Sequence, residues 1–172
     1  MIVLMAGLPG TGKSTLAREL ARLMNGRVLS KDELRHAIFL PEEIEYSTAQ
    51  DDFCQKLMLH TVRYLVSRDP KRVIFLDGRP FSRRYQIENV LAFAAALRQS
   101  WKLFECVCAD DTVRRRLASD ASSQEHPAGN RDYELCLRVK ERFEAITLPK
   151  IVIDTDRPLA ECVAVAVAAL RA

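Results

Sequence analysis

Three observations predict an α/β chain, a five-stranded parallel sheet with helices on both faces. Short apolar runs at residues 2–6, 27–30, 72–76, 103–107 and 150–153 alternate with stretches whose apolar residues recur at helical spacing. The first run enters a glycine-rich turn that opens onto a helix. The connections between runs are long enough to be crossovers, which join parallel strands and are right-handed.

Taken from the N-terminus, Ile2-Val3-Leu4-Met5-Ala6 leads into Gly7-Leu8-Pro9-Gly10-Thr11-Gly12-Lys13-Ser14, the spacing G-x-x-x-x-G-K-[ST] between a strand and a helix. Such a turn binds phosphates through backbone N–H groups that converge on one concavity, and glycines at 7, 10 and 12 tolerate the dihedrals and close approach this needs. The helix that follows adds its dipole to the anion site. Pro9 and Thr11 complete the loop, Lys13 is placed to reach β- and γ-phosphates, and the Ser14 hydroxyl to ligate a bridging magnesium ion. Thr15 falls beside the α-phosphate. A nucleoside triphosphate with Mg2+ is the expected ligand.

The first helix carries Leu16, Leu20, Leu23 and Met24 and closes at Asn25-Gly26, residues able to adopt a left-handed cap. After the second strand, Lys31-Asp32-Glu33-Leu34-Arg35 stands at the sheet edge where open α/β folds place ligands. Asp32 has two readings: a helix cap, or a carboxylate that faces the γ-phosphate and accepts the proton of an attacking hydroxyl, with Arg35 one turn on to hold the acceptor. Pro41 ends that helix. From Ser47, Phe53, Leu57, Thr61, Tyr64 and Leu65 give one long amphipathic helix to about Ser67, expected as the wall of an acceptor pocket.

Arg72-Val73-Ile74-Phe75-Leu76 is continuous and apolar, as a central strand covered on both faces should be. It delivers Asp77, either a turn residue or the acidic member of the magnesium shell. Arg79 follows in a loop where it can clamp an anionic acceptor, and Ser82 is the expected cap of a helix with Ile87, Val90, Leu91, Ala94 and Leu97 inward. The fourth strand leads to an acidic cap and then to Arg114-Arg115-Arg116. From Asp120 to Asn130 the apolar period vanishes, and Arg131 ends the run. Arginines around a polar stretch suggest a lid, from about residue 110 to 135, that closes over the nucleotide. Asp132 restarts helix, the fifth strand follows Pro149, Asp154-Thr155-Asp156-Arg157 lies at its ligand edge, and Pro158 suits the first turn of the last helix.

A chain of 172 residues, 48% hydrophobic and 28% charged, is expected to form a single domain, 1–172, with a substantial core. The five cysteines are odd in number and lack C-x-x-C spacing, so they read as small buried hydrophobes. No basic leader precedes the first strand and no apolar run approaches the ~20 residues of a membrane span, so a cytoplasmic protein that meets no membrane is expected. A net charge of +3 suits phosphorylated ligands but is too weak to establish nucleic-acid binding.

With Gly7 to Thr15, Asp32, Arg35, Asp77 and an arginine-bearing lid in place, the chain resembles the small phosphate-loop kinases. It is most similar to the branch that groups the kinase domain of polynucleotide 5′-hydroxyl kinases with AAA-domain kinases. The resemblance implies a three-layer fold with sheet order 2-3-1-4-5, ATP in preference to GTP, Asp32 as general base and Arg35 as the ligand of an acceptor's phosphate. It also implies Arg116 as the lid arginine that meets ATP, Arg131 as a second, and residues 154–157 beside the adenine. Where polynucleotide kinases carry an aspartate and, two residues on, an asparagine, this chain reads Asp77-Gly78-Arg79, a departure that disfavours a polynucleotide acceptor.

The expected activity is an ATP- and Mg2+-dependent phosphotransfer to a hydroxyl of a small metabolite or nucleotide-like acceptor, with Lys13, Asp32 and Arg116 catalytic. A polynucleotide 5′-hydroxyl kinase is the first alternative. A regulatory ATPase acting as a nucleotide-dependent switch is the second.

Overall fold

The computed structural model describes residues 1–123 and 132–172. Five strands, β1 (Ile2–Ala6), β2 (Arg27–Ser30), β3 (Ile74–Asp77), β4 (Trp101–Val107) and β5 (Ile151–Asp154), form one parallel sheet in the order β2-β3-β1-β4-β5. The register sets Leu4 between Leu76 and Leu103, and Ser30 beside Asp77. The carboxyl ends of β1, β2 and β3 therefore meet on one edge.

Period-two alternation along β1 sends its residues into two cores. Ile2, Leu4 and Ala6 pack with Ile74, Leu76 and Leu103 under α3 (Thr48–Arg68) and α4 (Arg84–Ala96), through Met58, Val62, Ile87 and Val90. Val3 and Met5 pack with Phe75, Phe104 and Ile153 under α1 (Lys13–Leu23) and α7 (Leu159–Arg171), through Leu16, Leu20, Cys162 and Ala166. A small third cluster joins Leu8 of the glycine-rich turn to Val113 and Leu117 of α5 (Asp110–Ser123) and Cys136 of α6 (Tyr133–Glu141). The remaining helix, α2 (Lys31–Ile38), follows β2 without a break.

Several local expectations are corrected. The long helix α3 buries Cys54, Met58, Leu59, Val62 and Val66, whereas Phe53 and Tyr64 are exposed. Its stripe is rotated by about one residue, because Gln50 and Gln55 are drawn inward by hydrogen bonds to the Glu43 and Gln86 carbonyls. Ser82 does not cap α4. The Arg84 N–H is met instead by Glu144 Oε2 at 2.7 Å, a cap supplied from the far side of α6. Helix α5 runs on to Ser123 through residues read as loop, and Pro158 is the cap of α7, one position before its first turn. Arg131 lies outside the described residues. Among those described, no helix is long and apolar enough to cross a membrane.

Candidate active site

The glycine-rich turn is shaped by contacts that leave no room for side chains. Gly7 has φ +128°, and a Cβ there would stand 2.3 Å from the Cys106 carbonyl oxygen on β4. Its N–H donates to the Pro80 carbonyl, tying the turn to the loop after β3. Gly12 takes the left-handed conformation as N-cap of α1 and offers no side-chain acceptor, so the first turn of α1 faces the concavity with its own N–H groups. Thr11 Oγ1 and Lys13 Nζ both donate to the Leu8 carbonyl at 2.7 Å, which holds the buried lysine against the loop. Ser14 is half-buried and Thr15 exposed. This is an anion cradle with one built-in cation.

Lys13 and Ser14 line a cavity of about 360 Å³ together with Asp32, Arg35, Asp51 and Arg79. Asp32 is not the cap of α2, since Ser30 accepts the Glu33 N–H and fills that role. Its Oδ1 takes Lys31 Nζ and Arg35 Nη1, each at 3.3 Å. Its Oδ2 sits beside Gly78, where φ is +84° and a Cβ would come within 3.2 Å of it. Glycine after β3 therefore clears the space around this carboxylate. Asp51, at the start of α3, closes the group by accepting from Lys31 Nζ at 2.7 Å and from Arg35 Nη2. The Arg35 guanidinium, 1% exposed, also stacks over the Tyr46 ring at 5.0 Å.

Arg79 is buried in the same wall. Its Nη2 pairs with Asp52 Oδ1 and its Nη1 donates to Gln55 Oε1, both at 2.6 Å. Asp77 ends β3 at 3% exposure, and its Oδ1 is buried without a hydrogen-bond partner among the described residues. An orphaned carboxylate oxygen is costly unless something else satisfies it. Hard oxygen donors from Asp77 and the Ser14 hydroxyl suit magnesium, so the residues present fit that ion.

Arg116 stands elsewhere. Its guanidinium donates to the Gly10 carbonyl, Thr155 Oγ1 and the Thr155 carbonyl at 3.4, 3.1 and 2.7 Å, bridging the glycine-rich turn to the loop after β5. Thr155 Oγ1 in turn donates to the Thr11 carbonyl at 3.0 Å. Asp156 is held below the usual carboxylate range by the Thr112 hydroxyl and by the Ala109 N–H, which it accepts at 2.7 Å. The arginine-bearing helix is thereby anchored at its start to the 154–157 loop.

The family model described as an AAA domain matches residues 2–146. The chain belongs to this AAA-domain family of phosphate-loop kinases. No curated protein sequence matches it. Among solved structures, the APS kinase of Mycobacterium tuberculosis in complex with AMPPNP and APS is similar at 18% identity and TM-score 0.74, with 99% of this chain and 97% of that one covered. A gluconokinase from Sinorhizobium meliloti is similar at 18% identity and TM-score 0.67, covering 99% and 90%. Kti12 from Chaetomium thermophilum in complex with ADP-AlF3 is similar at 15% identity and TM-score 0.70, covering 100% and 98%. At these identities the likeness is one of fold, and it includes the sheet order.

Set on this AAA-domain fold, the side chains singled out by sequence fall into two groups, with Asp77 outside both, in a small separate cavity that it shares with Lys31 and Arg79. Lys13, Ser14, Asp32, Arg35 and Arg79 share one cavity, whereas Arg116 lies on the Gly10 and Thr155 side of the turn. Sequence reasoning missed Asp51, Asp52 and Gln55, which it had merged into a core helix, and Arg142, which lines the cavity from the end of α6. A signal was present: two adjacent carboxylates near the start of a helix, with an amide one turn on, are more polar than a wall of core requires.

Proposed function

We propose that this phosphate-loop kinase moves the γ-phosphoryl group of ATP, with magnesium, to a hydroxyl of a small acceptor bound between α2, α3 and the loop after β3. The observation that carries this reading is the position of Asp32, which opens onto the same cavity of about 360 Å³ as Lys13 and Ser14. A carboxylate there can orient the acceptor hydroxyl and take its proton, because Oδ1 is held by Lys31 and Arg35 while Oδ2 has room beside Gly78. Lys13 would follow the charge on the transferred group. Ser14 and Asp77 would hold magnesium, whose chemistry there would be neutralisation of charge on the triphosphate. Arg116, braced by Thr155, would contact the nucleotide from the other side of the turn. Arg35 and Arg79 would form the acceptor wall.

The test is transfer of label from γ-labelled ATP with magnesium to a pool of hydroxyl metabolites and to a 5′-hydroxyl oligonucleotide, with Asp32→Asn alongside. Loss of labelled product in Asp32→Asn with nucleotide binding intact is the expected result. Hydrolysis of ATP at equal rates in both proteins, without a labelled acceptor, would instead fit a nucleotide-dependent switch. Label confined to the oligonucleotide would make the acceptor a polynucleotide end.

A further inference from the structure

The acceptor wall is rich in cations, yet Lys31, Arg35, Arg79 and Arg83 each already face a carboxylate. Lys31 and Arg35 face Asp32 and Asp51 in a closed set of two cations and two carboxylates. Arg79 is matched by Asp52, and Tyr85 Oη lies against the same carboxylate at 3.2 Å. The guanidinium side chains of Arg35 and Arg79 are 1% and 4% exposed, and the Nε atom of each is buried with no hydrogen-bond partner among the described residues. Among the other wall cations, Arg83 pairs with Glu144 at 3.0 Å, and Arg142 donates its Nε to the Arg138 carbonyl.

Recognition of a phosphate or sulfate by arginine needs a free fork of N–H donors. Here the Nη donors of both arginines end on protein oxygens, and the Nε–H of each, which has no partner among the described residues, is sealed from solvent. An anion that displaced them would leave Asp51 or Asp52 beside it as a like charge, and in a partly buried site such a contact repels strongly. Hydroxyl groups meet no such penalty, since they both donate and accept. Asp32, Thr48 and Ser82 offer the partners for them along the same wall.

Resting on the reading of this cavity as the acceptor site, the geometry points to an uncharged polyhydroxy compound as the acceptor, with Asp51 and Asp52 as the residues that exclude phosphorylated analogues. Asp52 sets the specificity at Arg79, and Asp51 does so at Arg35. A pocket that is basic by residue count is charge-matched at Arg35 and Arg79, where the acceptor's hydroxyls would lie.

Two measurements test this, and only one depends on transfer. The first follows the Arg79 Nε–H signal by 15N-edited NMR, assigned through Arg79→Lys, during titration with inorganic sulfate. In the wild-type protein the signal stays in place; in Asp52→Asn it moves and saturates. Movement in the wild type at millimolar sulfate, or a still signal in a folded Asp52→Asn, overturns the proposal. Asp52→Glu, which keeps the carboxylate, should behave as wild type and serves if Asp52→Asn does not fold; movement in Asp52→Glu counts against the proposal.

The second measurement compares label transfer to glucose, ribose and myo-inositol with transfer to their monophosphates. A preference of at least about tenfold in kcat/KM for the uncharged partner is expected, the size of effect that one unmatched charge contact produces. Equal or better transfer to the phosphate esters refutes the assignment. Transfer to none of the six defeats the kinase reading for these acceptors, while the sulfate titration still decides whether the wall excludes anions.

Discussion

Asp51→Asn isolates the electrostatic closure of the site. The substitution keeps the shape of the side chain but removes the charge shared by Lys31 and Arg35, whose side chains are 7% and 1% exposed. Removing one partner of a fully buried ion pair costs about 3–5 kcal/mol, because the other charge stays buried without compensation. Two features lower that figure here. The Asp51 side chain is 23% exposed, and Arg35 keeps Asp32 at 3.3 Å and the Tyr46 ring at 5.0 Å. A loss of about 2–3 kcal/mol is therefore expected, a fall in Tm of about 4–12 °C for a chain of this size.

Urea unfolding at neutral pH measures it, with Arg35→Met and the double variant completing a cycle. Arg35→Met should cost less than Asp51→Asn, because Asp51 keeps Lys31 at 2.7 Å. The coupling energy should reach about 1–2 kcal/mol. If Asp51→Asn falls within about 0.5 kcal/mol of the wild type, the network is no stronger than an exposed pair, and the account of a sealed wall is wrong.

Other substitutions probe the frame around the site. Gly7→Ala sets a Cβ 2.3 Å from the Cys106 carbonyl at a φ of +128°, so it should destabilise the protein by at least about 3 kcal/mol; a melting curve like that of the wild type would show that β1 and β4 can part at no cost. Burial pushes the Cys106 thiol up to about 12, above its value in an unfolded chain. Its protonated form is thus favoured in the fold: the stability is fully present below pH ~8.5 and is lost as pH rises toward 12, by about 2 kcal/mol at pH 10, and Cys106→Ala should flatten that part of the urea-midpoint profile. Glu144→Ala removes the acceptor for the Arg84 N–H and should speed amide exchange at the start of α4 while leaving β1 protected; unchanged exchange at Arg84 would mean another group caps the helix.

Much of the frame was legible in the sequence because it rests on local patterns. The apolar run of β1, the continuous apolar run of β3, and G-x-x-x-x-G-K-S between strand and helix each depend on residues a few positions apart. They specified a parallel α/β sheet, a phosphate-binding turn, and Asp32 and Asp77 at strand ends. Asp32 had two readings at that stage, and tertiary structure separated them by giving the cap to Ser30. The stripe of α3 was misjudged because Gln50 and Gln55 are buried for hydrogen bonds made at Glu43 and Gln86, distant partners that no periodicity can reveal.

The sequence by itself determined that this chain builds a phosphate-loop kinase fold and which strand ends carry its carboxylates, because backbone geometry and hydrophobic period are encoded within each element. Only the tertiary structure decided that α3 lays Asp51 and Asp52 against Arg35 and Arg79, and that Arg116 reaches Thr155, away from the cavity lined by Lys13 and Asp32. Charge matching of this kind depends on distances between elements far apart in the chain, and those distances are fixed by packing.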